Sequence, residues 1–96
     1  MTRNDILSRL SALKTEARSR YRIRELALFG SVVRGEHTGS SDIDVLADFE
    51  DNATLFDFAG LALFLEEHLG CAVDVVPRRA LREELRETVL KEAVTV

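Results

Sequence analysis

The chain has 96 residues, 46% of them hydrophobic, one proline and one cysteine. That is enough for one folded core, and it argues against disorder, a disulfide scaffold and separate catalytic and substrate lobes. No apolar run approaches membrane-spanning length and the N-terminus is not a signal peptide, so a cytoplasmic location and no membrane partner are expected. Charge is uneven: residues 1–24 carry seven Lys or Arg against two acids, a net of +5, and residues 25–96 carry six against fifteen, a net of −9.

The first element is a helix. Thr2 and Asp5 have capping-box spacing, and Ile6, Leu10, Leu13 and Ala17 recur at helical intervals until about Arg20. Its basic residues, among them Arg3, Arg9, Lys14 and Arg18, read as a solvated face before they read as a surface for an acidic partner or RNA. Because the body of the chain is acidic, nucleic acid is not an expected partner.

A compact apolar strand over Glu25–Phe29 follows, then Gly30-Ser31 and a short helix from Ser31 to Arg34. Free backbone N–H groups face outward where a strand turns into a helix, and a glycine there lets phosphate approach them. The Ser31 hydroxyl adds a donor, and Arg34 is placed to meet a phosphate or to lock the loop. Ser41, directly before Asp42, is placed to orient that carboxylate or touch a phosphate.

The next strand, Ile43–Phe49, carries the strongest chemical signal. Alternate residues of a strand share a face, so Ile43, Val45, Ala47 and Phe49 point one way while Asp42 and Asp44 project together from the other. Two adjacent carboxylates repel one another and are costly to bury unless a cation lies between them. Magnesium suits such a pair, since it binds a few carboxylates and completes its shell with water and substrate phosphates.

Glu50-Asp51-Asn52 predicts a turn, with Asp51 or Asn52 capping a helix over Thr54–Leu69 that Gly70 ends. Leu55, Phe58, Ala59, Ala62 and Leu65 form an apolar stripe, and Phe56, Leu61, Leu63 and Phe64 spill beyond it. A helix apolar over so much of its circumference is either buried on two sides or offers a partner interface. Cys71–Val76 predicts an inner strand with Asp74 at its centre, which would complete a three-carboxylate cluster able to hold two cations. Cys71 itself reads as a small core residue. Leu81, Leu85 and Val89 mark a final helix, with a fraying tail at Ala93–Val96. The elements together predict an α/β fold: a small mixed sheet with flanking helices, in one domain over residues 1–96.

The succession Gly30-Ser31, Arg34-Gly35, Ser41-Asp42-x-Asp44 and a later strand aspartate resembles the DNA polymerase β-type nucleotidyltransferase superfamily. In length the chain is similar to its minimal nucleotidyltransferases (MNT), the antitoxin partners of HEPN ribonuclease toxins. The likeness is sharpest over Leu28–Val45 and extends to about Pro77; Val33 stands where a smaller residue is expected.

The resemblance implies a polymerase-β-like palm in which Asp42, Asp44 and Asp74 are catalytic carboxylates and metal ligands for two Mg2+ ions. It implies Gly30, Ser31, Arg34 and Ser41 as nucleotide contacts. The implied reaction moves AMP from ATP to a hydroxyl of the partner HEPN toxin, a tyrosine in antitoxin members, and leaves a hetero-oligomer open. The competing expectation is a nucleotide-binding antitoxin that neutralises its partner by complex formation without turnover.

Overall fold

The computed structural model describes residues 1–36 and 42–96. Helix α1 spans Arg3–Tyr21 and opens on the expected capping box: Asp5 N–H donates to Thr2 Oγ1 at 3.1 Å, and Thr2 N–H donates to Asp5 Oδ2 at 2.9 Å. These bonds hold the Asp5 carboxyl below its ordinary pKa. The helix closes on Arg22, a non-glycine residue at φ 54°, whose guanidinium donates to the Asn52 carbonyl at 3.1 Å.

Strand β1 follows at Ile23–Phe29, starting two residues before the expected Glu25. Four-residue α2 covers Ser31–Arg34, and β2 covers Ile43–Phe49. Helix α3 runs Leu55–Leu69, β3 Val73–Pro77, α4 Glu83–Glu92 and β4 Val94–Thr95, with a 3-10 turn at Arg78–Ala80 between β3 and α4.

The sheet order is β3-β2-β1-β4. Strand β1 pairs antiparallel with β2 and with β4, whereas β2 and β3 are parallel, so the sheet is mixed. Ile43, Val45, Ala47 and Phe49 are all buried, as the alternation predicts. With Leu26 and Leu28 of β1 they form the floor on which α1 and α3 lie, joined by Ile6, Leu10, Ala17, Leu61, Phe64 and Leu65. Among the described residues no charged or polar side chain is buried in this core. Also among them, no helix is long and apolar enough to cross a membrane.

Four expectations are corrected. The cap of α3 is Thr54, not Asp51 or Asn52: Thr54 N–H donates to Asp57 Oδ2 at 2.8 Å in a second capping box, and Asp51 instead pairs with Arg24 and Arg79. The face α3 buries is Leu61, Phe64, Leu65 and Leu69, while Leu55 and Phe56 of the expected apolar set are 84% and 88% exposed. Apolar periodicity continues into the first turn, but Leu55 and Phe56 there are left uncovered. Strand β3 is an edge strand, not an inner one, and starts at Val73 instead of Cys71. The tail expected to fray forms β4, with Val94 opposite Leu28 and Thr95 opposite Ala27.

Leu65 is fully buried between α1, α3 and the sheet. Leu65→Ala is expected to cost about 2–5 kcal/mol, read as a lowered urea midpoint without a change in slope.

Candidate active site

On the sheet face opposite the core, parallel pairing sets Asp44 directly beside Asp74, and antiparallel pairing sets it beside Phe29. Asp42 stands one residue before β2, two residues from Asp44, and therefore faces the same way. Three of the expected acids thus meet at one end of one face. Asp42 and Asp74 are exposed and Asp44 is half-buried.

Burial, the Asp74 charge and then the Asp42 charge all raise the Asp44 carboxyl above its ordinary pKa. Arg34 opposes this, and Glu92 adds to it. Asp44, pressed by two neighbouring carboxylates, lies where positive charge is short. Among the described residues no three acid, His or Cys side chains stand close enough together to hold a metal ion as they are placed here. Carboxylates that share a face are the donor type that hard cations take, with water and phosphate completing the shell.

Gly30 borders the acids. It follows Phe29 and adopts φ 79°, the left-handed region that glycine tolerates. A side chain at this position would collide with the Asp44 carboxylate, and its Cβ would lie 3.0 Å from Asp44 Cγ. Glycine is therefore required twice, by the dihedral and by the closeness of Asp44 on β2. Ser31 begins α2 immediately afterwards and is half-buried.

Of the two roles open to Arg34, this structure has it locking the loop. Its Nε donates to Glu36 at 3.0 Å and its Nη1 to both Glu92 oxygens at 3.0 Å. Glu92, which sequence reasoning did not single out, also accepts the Gly30 N–H at 2.7 Å. No local signal could have found it: Glu92 lies at the end of an acidic amphipathic helix, and only the fold brings it 62 positions back to Gly30. Ser41, expected at this site, lies outside the described residues.

Cys71 and other polar residues nearby fall outside the cluster. Cys71 is half-buried against the core, where burial pushes its thiol up. Asp48 lines a separate cavity of about 240 Å³ with Leu46, Arg78 and Leu90. Arg79 is exposed and donates to the Phe49 carbonyl at 3.3 Å.

A mixed sheet presenting an acid pair and a third acid beside a Gly-Ser turn is the frame of a nucleotidyltransferase. Comparison with known proteins agrees: the nucleotidyltransferase domain family matches residues 10–96. The protein adenylyltransferase MntA of Thermococcus cleftensis is 44% identical over 96 residues, covering 100% of this chain and 97% of that protein. A solved structure described as a candidate minimal nucleotidyltransferase superposes with a TM-score of 0.88 at 41% identity, over 100% of this chain and 97% of the other. A crystal structure of a toxin–antitoxin with AMP-PNP gives a TM-score of 0.70 at 25% identity, over 99% of this chain and 72% of that one. The chain belongs to the nucleotidyltransferase domain family, as a minimal member.

The raised Asp44 pKa carries a stability consequence. The folded state holds this proton more tightly than the unfolded state, so metal-free stability declines as pH rises from the ordinary carboxylate range through the raised value. Asp44→Asn should remove that decline and melt higher than wild type at neutral pH without metal, as read by thermal denaturation across a pH series.

Proposed function

We propose that residues 1–96 act as one minimal nucleotidyltransferase domain that transfers AMP from ATP to a hydroxyl, a tyrosine, of a partner HEPN toxin and so serves as its antitoxin, in the cytoplasm. The observation that carries this reading is the register of Asp44 beside Asp74, with Asp42 on the same face and Gly30 against Asp44. The protein adenylyltransferase name of the 44% identical relative supports the choice of AMP and of a protein acceptor. The AMP-PNP in the toxin–antitoxin crystal structure supports ATP as the substrate.

In this reading Asp42, Asp44 and Asp74 hold Mg2+, two ions in all. Bound there, the metal supplies charge neutralisation on the phosphates and stabilises the oxygens of an in-line displacement. The Gly30 N–H, the Ser31 hydroxyl, Arg34 and Ser41 bind the triphosphate and present its α-phosphorus to the acceptor. The acceptor oxygen bonds to that phosphorus as the bond to the bridging oxygen breaks, and pyrophosphate departs. Asp74, exposed at the sheet edge, takes the proton of the acceptor hydroxyl.

The edge position of β3 favours a protein acceptor, because the face beside Asp74 is open on its outer side. The second reading, neutralisation by binding alone, is favoured by a different observation: Leu55, Phe56 and Leu63 stand exposed on α3. Leu55 also borders an apolar cavity of about 370 Å³ with Phe49, Phe58 and Pro77.

The test is incubation with labelled ATP, Mg2+ and the protein encoded beside this chain's gene. Wild type should label that partner, while Asp42→Asn/Asp44→Asn should lose more than about 100-fold of the rate, beyond what losing a residue that only orients a metal ligand costs. Omitting the metal or adding a chelator should abolish transfer. A double variant that forms the complex and silences the partner fully, with no label transferred by either protein, would establish neutralisation by binding instead.

A further inference from the structure

We infer that Glu92 is an internal stand-in for a nucleotide phosphate: it occupies the Gly30/Arg34 anion cradle in the free protein and has to leave when a triphosphate docks. This rests on the reading of Gly30 and Arg34 as phosphate contacts. Glu92 Oε1 accepts the Gly30 N–H at 2.7 Å, and both its oxygens receive Arg34 Nη1 at 3.0 Å. A backbone N–H and a guanidinium on one carboxylate are the donors that otherwise take a phosphate, and both contacts are of the charge-assisted kind. One N–H directed at one anion has no place for a second. With 19% of its side chain exposed, Glu92 fills the cradle and does not merely border it.

Glu92 also brings a charge near the acid pair. Glu92 adds its charge to the side of Asp44 already pressed by Asp74 and Asp42.

The segment carrying Glu92 is built to yield. Among the described residues α4 has no buried side chain and its N-cap makes no side-chain hydrogen bond. Beyond it, β4 pairs with β1 at two positions, followed by a bond from Val96 N–H to the Leu26 carbonyl at 3.0 Å. Rotation of the Glu92 side chain frees the cradle without moving this edge, whose end is tied by Lys14 donating to the Val96 carbonyl. Nucleotide affinity is thus the intrinsic affinity of the cradle reduced by the fraction of molecules in which Glu92 fills it. The arrangement keeps the donors satisfied without ligand.

The experiment is a fluorescence titration of the full chain with N-methylanthraniloyl-ATP and Mg2+, for wild type, Glu92→Gln and Glu92→Ala. Glutamine preserves shape and removes the charge. If Glu92 competes with phosphate, both variants bind about tenfold tighter than wild type. If Glu92 instead holds the loop ready for nucleotide, both bind more weakly, and that result, or unchanged affinity, overturns the inference while leaving the nucleotide site standing. Absence of binding in wild type and variants alike would overturn the site reading and the inference together.

Thermal melting supplies the second readout. Without nucleotide the Ala variant should melt below wild type, because Gly30 and Arg34 lose their acceptor, and saturating ATP should raise its melting temperature further than that of wild type. Equal shifts in both would count against displacement.

Discussion

The site depends on a repulsion that the rest of the fold overrides. Asp44 is placed by strand register against Asp74 and by strand alternation with Asp42. Two unit charges about 4 Å apart repel by roughly 1 kcal/mol in water and 4 kcal/mol at the effective dielectric near a protein surface. On the reverse of the same strand, fully buried Ile43 and Val45 each contribute about 1.5–3 kcal/mol by leaving water. The strand stays in register because its apolar side is committed to the core. A slip by one residue would put the acids inside and the hydrophobic residues out.

That commitment explains the placement of the other groups. Helices α1 and α3 cover the core face, so the opposite face is free to carry charge. Gly30 must follow β1 without a side chain, since the Asp44 carboxylate occupies the space a Cβ would take. The Gly30 N–H at this junction needs an acceptor, and the C-terminal helix provides one in Glu92. Pairing β1 with β2 sets the Gly30 turn against Asp44, and pairing β2 with β3 brings Asp74 beside it.

The α3 helix carries a different division of labour. Phe64 packs tilted against Tyr21 at 5.5 Å between ring centroids, and Phe58 likewise against Phe49 at 6.2 Å, which anchors the middle of the helix. Gly60 allows this close approach, because a Cβ there would meet Tyr21 Cε1 at 2.6 Å. The first turn, with Leu55 and Phe56, stays outside the packed region. Interior and exposed apolar positions therefore coexist on one helix, and no helical period could separate them.

What the sequence determined by itself is what short-range stereochemistry controls. The Thr2–Asp5 capping box, the stop at Gly70, the Gly30-Ser31 turn and the shared face of Asp42 and Asp44 all follow from bonds and dihedrals spanning a few residues. Tertiary structure decided everything that required two distant segments to meet. It set β3 at the edge, recruited Val94 and Thr95 into the sheet, put Asp74 beside Asp44 and brought Glu92 to Gly30. The Val94–Thr95 tail looked free because two residues carry no periodicity, yet the edge of β1 offered N–H and C=O groups to pair with. Local pattern selects which side of a strand is apolar, but only the packing of the whole chain selects which neighbour lies beside it.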